Sequence, residues 1–174
     1  MPSPDKFRVL LVYPNLMLVL QLPSHLPLLA ACLKKEGYDV RLFDTTLYRT
    51  TDKTVDEIRT ERLQVKSASI IESVETEKQD IFEAFTVLVE EYKPDLIGVS
   101  VVDDTVKMGL DLIGSLRDRK ALTVFGGKYA TFNPAGLIER KEVDVVCVGD
   151  GEDSVVELCN RLSLERPYDD IAGL

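Results

Sequence analysis

Short apolar runs alternate with segments of helical period along this chain. The first run, residues 8–13 (RVLLVY), is almost continuously apolar, which is typical of a strand buried on both faces. Four further runs predict strands at residues 39–44, 95–102, 122–125 and 143–148. This order predicts an α/β fold with a doubly wound, mainly parallel five-stranded sheet of flavodoxin-like or Rossmann-like topology.

The helices between the strands are marked by apolar residues spaced three or four apart. The first ends at Gly37, where a left-handed cap is expected. The apolar positions of three helices are Leu26, Leu29, Ala30 and Leu33; Leu110, Ile113 and Leu116; and Val155, Leu158, Cys159 and Leu162.

The interval between the second and third strands is far longer than the dozen or so residues that a single crossover requires. Apolar residues at helical spacing from Ile81 to Tyr92 predict the crossover helix, ended by Lys93 and Pro94. Residues 50–74 are polar and charged, with sparse apolar positions such as Val65 and Ile70, and we interpret them as a partly helical insertion. A lid over a ligand and a solvated surface helix both fit this composition.

Composition and charge restrict the function further. The chain has 174 residues, 45% of them apolar, which suits one compact domain. Its 21 Lys and Arg against 30 Asp and Glu give a net charge of −9, so we expect neither nucleic acid nor an anionic membrane as a partner. The start of the chain is polar and no apolar run approaches about twenty residues, so we expect a cytoplasmic protein. Cys32, Cys147 and Cys159 have the spacing of neither a disulfide framework nor a metal motif.

Ligands of open parallel sheets bind at the carboxyl ends of the strands, so the loops that follow the strands are informative. The loop after the first strand, residues 13–23, contains no glycine, which excludes a dinucleotide fingerprint or a phosphate-binding loop. Its apolar character suits a large, flat ligand. Asp103 and Asp104 follow the third strand, and helix capping explains them better than a receiver-like magnesium site.

Glycines follow the fourth and fifth strands. Turn chemistry alone explains either Gly126-Gly127 or the segment 149–152 (GDGE). Together with Gly98 and Ser100, however, these glycines form a row of small residues, which leaves room for an elongated polar tail inside the domain.

These segments resemble, in this order, the cobalamin-binding domain that precedes the catalytic domain of cobalamin-dependent radical S-adenosylmethionine enzymes. The similarity lies in residues 26–33 with 37–40 and Asp44, in 100–102, in Gly126-Gly127, and in 143–144 with 149–152. It implies that the corrin ring rests on the strand-end loops, while the nucleotide tail, detached from cobalt, threads between sheet and helices. We therefore predict neither catalytic nor metal-ligating residues in this chain, and the following cofactor-binding residues: Asn15, Leu16, Ser100, Val102, Asp103, Thr105, Gly126, Gly127, Lys128, Tyr129, Thr131, Gly149, Asp150, Gly151 and Glu152.

The chain also departs from its relatives. The Asp-x-His-x-x-Gly motif that supplies an axial histidine in classical methyltransferases is absent after the first strand. His25 is the one histidine; it stands where the radical enzymes often have glycine, and a surface or capping role is expected for it rather than cobalt ligation. Tyr129 replaces the histidine that many relatives have after Gly-Gly, and Asp150 replaces a glutamate.

The resemblance also implies a larger protein. Residues 168–174 are similar to the segment that leads into the catalytic barrel of the relatives, so we predict a cobalamin-binding domain at 1–162 and a linker at 163–174. An absent C-terminal radical S-adenosylmethionine domain, of methyltransferase type, would hold the iron-sulfur cluster and S-adenosylmethionine. The alternative is a cobalamin-free relative that acts as a substrate-recognition or interaction module.

Overall fold

The computed structural model describes residues 6–20, 23–64 and 74–174 and has a parallel sheet of five strands in the order β2-β1-β3-β4-β5. The strands are β1 (Arg8–Tyr13), β2 (Asp39–Asp44), β3 (Leu96–Ser100), β4 (Leu122–Gly126) and β5 (Val145–Val146). The helices are α1 (His25–Lys35), α2 (Val55–Glu61), α3 (Ile81–Tyr92), α4 (Val106–Gly114), α5 (Lys128–Phe132), α6 (Pro134–Ile138) and α7 (Glu152–Ser163). The predicted fold class, including its flavodoxin-like strand order, is confirmed.

Helices cover both faces of the sheet, which is why its central strands are apolar on both sides. On one face, Phe85 of α3 and Leu112 of α4 pack against Phe125 of β4. On the other, Leu33 of α1 and Leu158 of α7 belong to a second apolar cluster. The candidate site described below lies on the side of α1 and α7.

The described residues between β2 and β3 form two helices. The crossover helix α3 begins after Asp80, whose side chain accepts hydrogen bonds from two backbone N–H groups, and it ends at Lys93 in the left-handed conformation. Within the predicted insertion, α2 begins with a capping box formed by Thr54 and Glu57 and buries none of its residues. Residues 65–73 of the insertion, with Val65 and Ile70, lie outside the described residues.

The last strand is shorter than the predicted run 143–148, since β5 comprises only Val145 and Val146 and pairs with β4 alone. The Val148 N–H donates to the Gly173 carbonyl oxygen at 2.8 Å, and Ile171 is buried in the apolar cluster of α1 and α7. The end of the predicted linker thus packs against the end of this strand. In the described ranges, no helix combines the length and apolar character needed to cross a membrane.

A polar network joins β4 to the segment before β5. The Asp144 carboxylate accepts hydrogen bonds from the Thr123 backbone N–H at 2.7 Å and from the Thr123 hydroxyl at 2.9 Å. Two guanidinium nitrogens of Arg119 also donate to it. Thr123 is fully buried, so this carboxylate satisfies polar groups that water cannot reach.

Candidate functional site

A cavity of about 730 Å³ opens at the carboxyl ends of the strands and extends between the sheet and helices α1 and α7. Strand residues alternate between the two faces of a sheet, and one alternating set forms the floor. That set is Leu11 and Tyr13 of β1, Gly98, Ser100 and Val102 on and after β3, Val124 and Gly126 of β4, and Cys147 and Gly149 after β5. Leu26 and Leu29 of α1 and Val155 of α7 form the opposite wall.

The two central strands present small residues to this cavity. Gly98 pairs with Leu11 on one side and Val124 on the other, and Ser100 pairs with Gly126. Apart from the adjacent residues, a Cβ added to Gly126 would have one neighbour within 4 Å, the Cβ of Cys147 at 3.7 Å. The floor is therefore a groove at the position where parallel sheets usually place large apolar side chains.

Gly127 has a different role from its neighbour. Its φ is +93°, and an added Cβ would lie 2.7 Å from the Val101 carbonyl oxygen. The same carbonyl accepts a hydrogen bond from the Tyr129 N–H at 3.2 Å. The turn from β4 into α5 thus requires glycine at 127 for backbone reasons, whereas Gly126 borders the groove.

Most of the residues predicted to bind the cofactor line this one cavity. They are Asn15, Leu16, Ser100, Val102, Thr105, Gly126, Gly127, Lys128, Thr131, Gly149, Asp150, Gly151 and Glu152. The sheet brings them together because all of them lie on, or directly after, strand ends on the same side.

Two predicted residues lie outside the cavity lining. The Tyr129 side chain packs against the apolar cluster of the opposite face, and its hydroxyl accepts a hydrogen bond from Asn133 Nδ2 at 2.9 Å. Asp103 is exposed before the helix. The expected helix-end role of Asp103 and Asp104 is also not seen, since α4 begins at Val106 and has no acidic residue in its first turn.

Sequence reasoning missed the side of the cavity formed by α1 and α7. His25 lines it, and its Nε2 lies 2.7 Å from the Ser100 hydroxyl oxygen. Partial burial lowers the pKa of His25, more strongly than the nearby Glu152 raises it. The apolar spacing of α1 identified Leu26 and Leu29 as buried, but nothing in the sequence showed that they face a groove.

The loop after β1 is held by a buried polar network. The Asn15 side-chain amide donates to the Val19 carbonyl oxygen at 2.7 Å and to the Thr46 hydroxyl at 2.9 Å. The Asn15 N–H donates to the Thr45 hydroxyl at 2.7 Å, and the Leu18 N–H donates to the Thr46 carbonyl oxygen at 2.8 Å. These bonds connect the loop to the end of β2, so Asn15 fixes the backbone that carries Leu16 and Val19.

Charged side chains also line the cavity. Asp104, Asp150 and Glu152 contribute negative charge and Lys128 contributes positive charge. Across the described parts of the chain, no three His, Cys, Asp or Glu side chains are grouped so that they could hold a metal ion. Cys147 is buried beside the Ser154 hydroxyl, and burial raises the pKa of its thiol.

Comparisons with known proteins agree with this architecture. The family model described as "B12 binding domain" matches residues 22–159. No curated protein sequence matches the chain significantly.

Solved structures share the fold. The radical S-adenosylmethionine methyltransferase TsrM from Kitasatospora setae, solved with cobalamin and an iron-sulfur cluster bound, is 24% identical with a TM-score of 0.70. The alignment covers 97% of this chain and 28% of TsrM. The cobalamin-dependent S-adenosylmethionine radical enzyme OxsB, solved with aqua-cobalamin and S-adenosylmethionine bound, is 19% identical with a TM-score of 0.62. That alignment covers 97% of this chain and 20% of OxsB.

The family match covers most of the chain, including the four strands from β2 onward and the cavity-lining loops that follow β3, β4 and β5. The resemblance inferred from the sequence is thereby confirmed, and with it the expected cofactor class. The chain belongs to the B12 binding domain family.

Proposed function

We propose that this chain binds cobalamin in the base-off state, without a histidine on cobalt, as the N-terminal domain of a radical S-adenosylmethionine enzyme of methyltransferase type. The main observation that supports this proposal is the groove formed by Gly98, Ser100 and Gly126. It provides a channel, bounded by α1 and α7, of the kind that a detached nucleotide tail needs. The fold shared with TsrM and OxsB supports the same assignment.

The residues of the cavity fit the two parts of such a ligand. Apolar side chains surround the mouth: Leu16 and Val19 after β1, Val102 after β3, and Phe132, which is 85% exposed. They suit the apolar face of a large ring. The groove below them suits a narrow tail, because a Cβ at Gly126 would fill part of it.

When bound, cobalamin supplies a cobalt centre that can carry a methyl group. The contribution of this chain is to bind and orient the cofactor. Leu16, Val19 and Val102 would shield one face of the ring from water, and the groove would hold the nucleotide tail. The substrate, the iron-sulfur cluster and S-adenosylmethionine are assigned to the rest of the longer protein.

The proposal is tested by incubating the 174-residue chain with hydroxocobalamin, removing free corrinoid by desalting, and reducing the cobalt to Co(II). We expect a retained corrinoid with a base-off visible spectrum. Its electron paramagnetic resonance spectrum should show no nitrogen splitting, and His25→Ala should leave both spectra unchanged. Nitrogen splitting that disappears in His25→Ala would instead show histidine ligation.

Failure to retain the corrinoid has two explanations that a longer chain separates. If a chain that includes the C-terminal domain retains cobalamin, binding needs that domain. If it does not, the alternative of a cobalamin-free interaction module is favoured.

We expect Asn15→Ala to weaken hydroxocobalamin binding about tenfold, because losing two hydrogen bonds loosens the loop that carries Leu16 and Val19. Calorimetric titration measures the affinity. Asn15→Asp retains the oxygen that accepts from the Leu16 N–H but cannot donate to Val19, so it should behave like Asn15→Ala. Unchanged affinity in both variants would contradict a positioning role for Asn15.

A further inference from the structure

His25 connects the two sides of the groove. It is the first residue of α1, and its Nε2 is 2.7 Å from the hydroxyl oxygen of Ser100 at the end of β3. Helix α1 lies over this face of the sheet because Leu26 and Leu33 are buried in the apolar cluster there. The hydrogen bond therefore spans from the helix wall to the sheet floor.

The position of Ser100 along β3 shows where this bridge lies. Gly98, Ser100 and Val102 are two residues apart and line the same side of the sheet. Gly98 is buried in the groove, and Val102 is 42% exposed at the mouth. The pair of His25 and Ser100 thus stands between the mouth and the groove, where a ligand that occupies both must pass.

The pair offers polar atoms beside a largely apolar groove, and the Glu152 carboxylate lies near His25. The groove beside it is lined by Leu11, Leu26, Leu29, Val124 and Val155. Because partial burial lowers the pKa of His25, its imidazole is neutral near pH 7 and offers one N–H donor and one nitrogen acceptor. An apolar pocket selects and orients its ligand through a few such groups.

We propose that His25 is a specificity-determining residue that hydrogen-bonds the nucleotide tail of a corrinoid where the tail enters the groove. This inference rests on the proposed function. It assigns a tail-binding role to the one histidine of the chain and separates that role from cobalt ligation.

Two corrinoids test the inference: hydroxocobalamin, which has the nucleotide tail, and cobinamide, which lacks it. Each is titrated by calorimetry into the 174-residue chain, His25→Ala and His25→Gln. We expect His25→Ala to weaken hydroxocobalamin binding about tenfold and to leave cobinamide binding unchanged, because one hydrogen bond to the tail is lost. Gln can place its side-chain amide nitrogen near the position that Nε2 occupies in His25. His25→Gln should therefore recover part of the lost affinity.

A control variant, Leu28→Ala, changes an exposed residue of the same helix outside the cavity lining and should bind both corrinoids normally. Equal weakening of both corrinoids by His25→Ala would overturn the inference and favour cobalt ligation. Unchanged binding of both would also overturn it and leave the proposed function intact. If neither the unaltered chain nor a chain that includes the C-terminal domain binds a corrinoid, the proposed function itself fails, and the inference fails with it.

Discussion

Gly126→Leu is expected to reduce hydroxocobalamin affinity about 100-fold or more, because the new side chain fills the groove that the tail would occupy. Apart from the adjacent residues, the added Cβ has one neighbour within 4 Å, Cys147 Cβ at 3.7 Å, and Gly126 does not have a positive φ. The protein should therefore fold with little change in its thermal midpoint. Calorimetric titration and thermal unfolding of the same preparation measure the two quantities.

Two other glycines serve as controls for this substitution. Gly114 is exposed at the end of α4, and an added Cβ there lies 3.5 Å from Glu142, so Gly114→Leu should leave binding unchanged. Gly127→Leu should lower stability as well as binding, because its side chain would clash with the Val101 backbone at a positive φ. Normal affinity of a folded Gly126→Leu variant would contradict the assignment of the groove to the tail.

Asp144→Ala is expected to lower the free energy of unfolding by about 2 kcal/mol, since it leaves the buried Thr123 N–H and the Arg119 guanidinium without their acceptor. Partial solvent exposure of the Asp144 side chain keeps the loss below that of a fully buried ion pair. Chemical denaturation measures the change. Asp170→Ala is a suitable control, because Asp170 is paired with Arg161 but is 77% exposed, and we expect a loss below about 0.5 kcal/mol.

The same carboxylate makes the stability of the chain depend on pH. Burial opposes the ionisation of Asp144, but hydrogen bonds from Arg119 and Thr123 outweigh it and hold the pKa of this carboxyl below its usual value of 3.8. Its contribution to stability is therefore complete above pH 3.8 and is lost as the pH falls through the lowered pKa.

The stability difference between the unaltered chain and Asp144→Asn should therefore be constant from pH 7 to about pH 5 and shrink below pH 3.8. Denaturation at several pH values measures that difference. A difference that does not change at low pH would show that ionisation of Asp144 does not contribute to stability.

The fold could be predicted because the signals that specify it are local. Apolar runs marked β1, β3 and β4, a mixed run with Val40, Leu42 and Phe43 marked β2, and Gly37 and Pro94 marked the ends of helices. The extent of β5 could not be predicted, because it depends on pairing at the edge of the sheet. Nor did the sequence show that the segment ending in Ile171 packs back onto the domain, since its sparse apolar residues have no regular period.

The candidate site was predictable at the strand ends and less so elsewhere. The rule that ligands bind at the carboxyl ends of parallel strands predicted that Ser100, Gly126 and Gly149 share one site, and all three line the cavity. The difference between Gly126 and Gly127 depends on φ angles and on the approach of the Val101 backbone, which no sequence pattern records. The Tyr129 side chain points away from the cavity because of its position in α5, and this too could not be predicted from the sequence.

The most direct test of cobalamin binding by this cavity is a calorimetric titration of hydroxocobalamin into the 174-residue chain, with Gly126→Leu titrated in parallel. We expect one equivalent to bind the unaltered chain, with a dissociation constant on the order of micromolar or tighter, and a dissociation constant about 100-fold or more higher for the variant. A folded, unaltered chain that binds no hydroxocobalamin, or a Gly126→Leu variant that binds it equally well, would contradict the account.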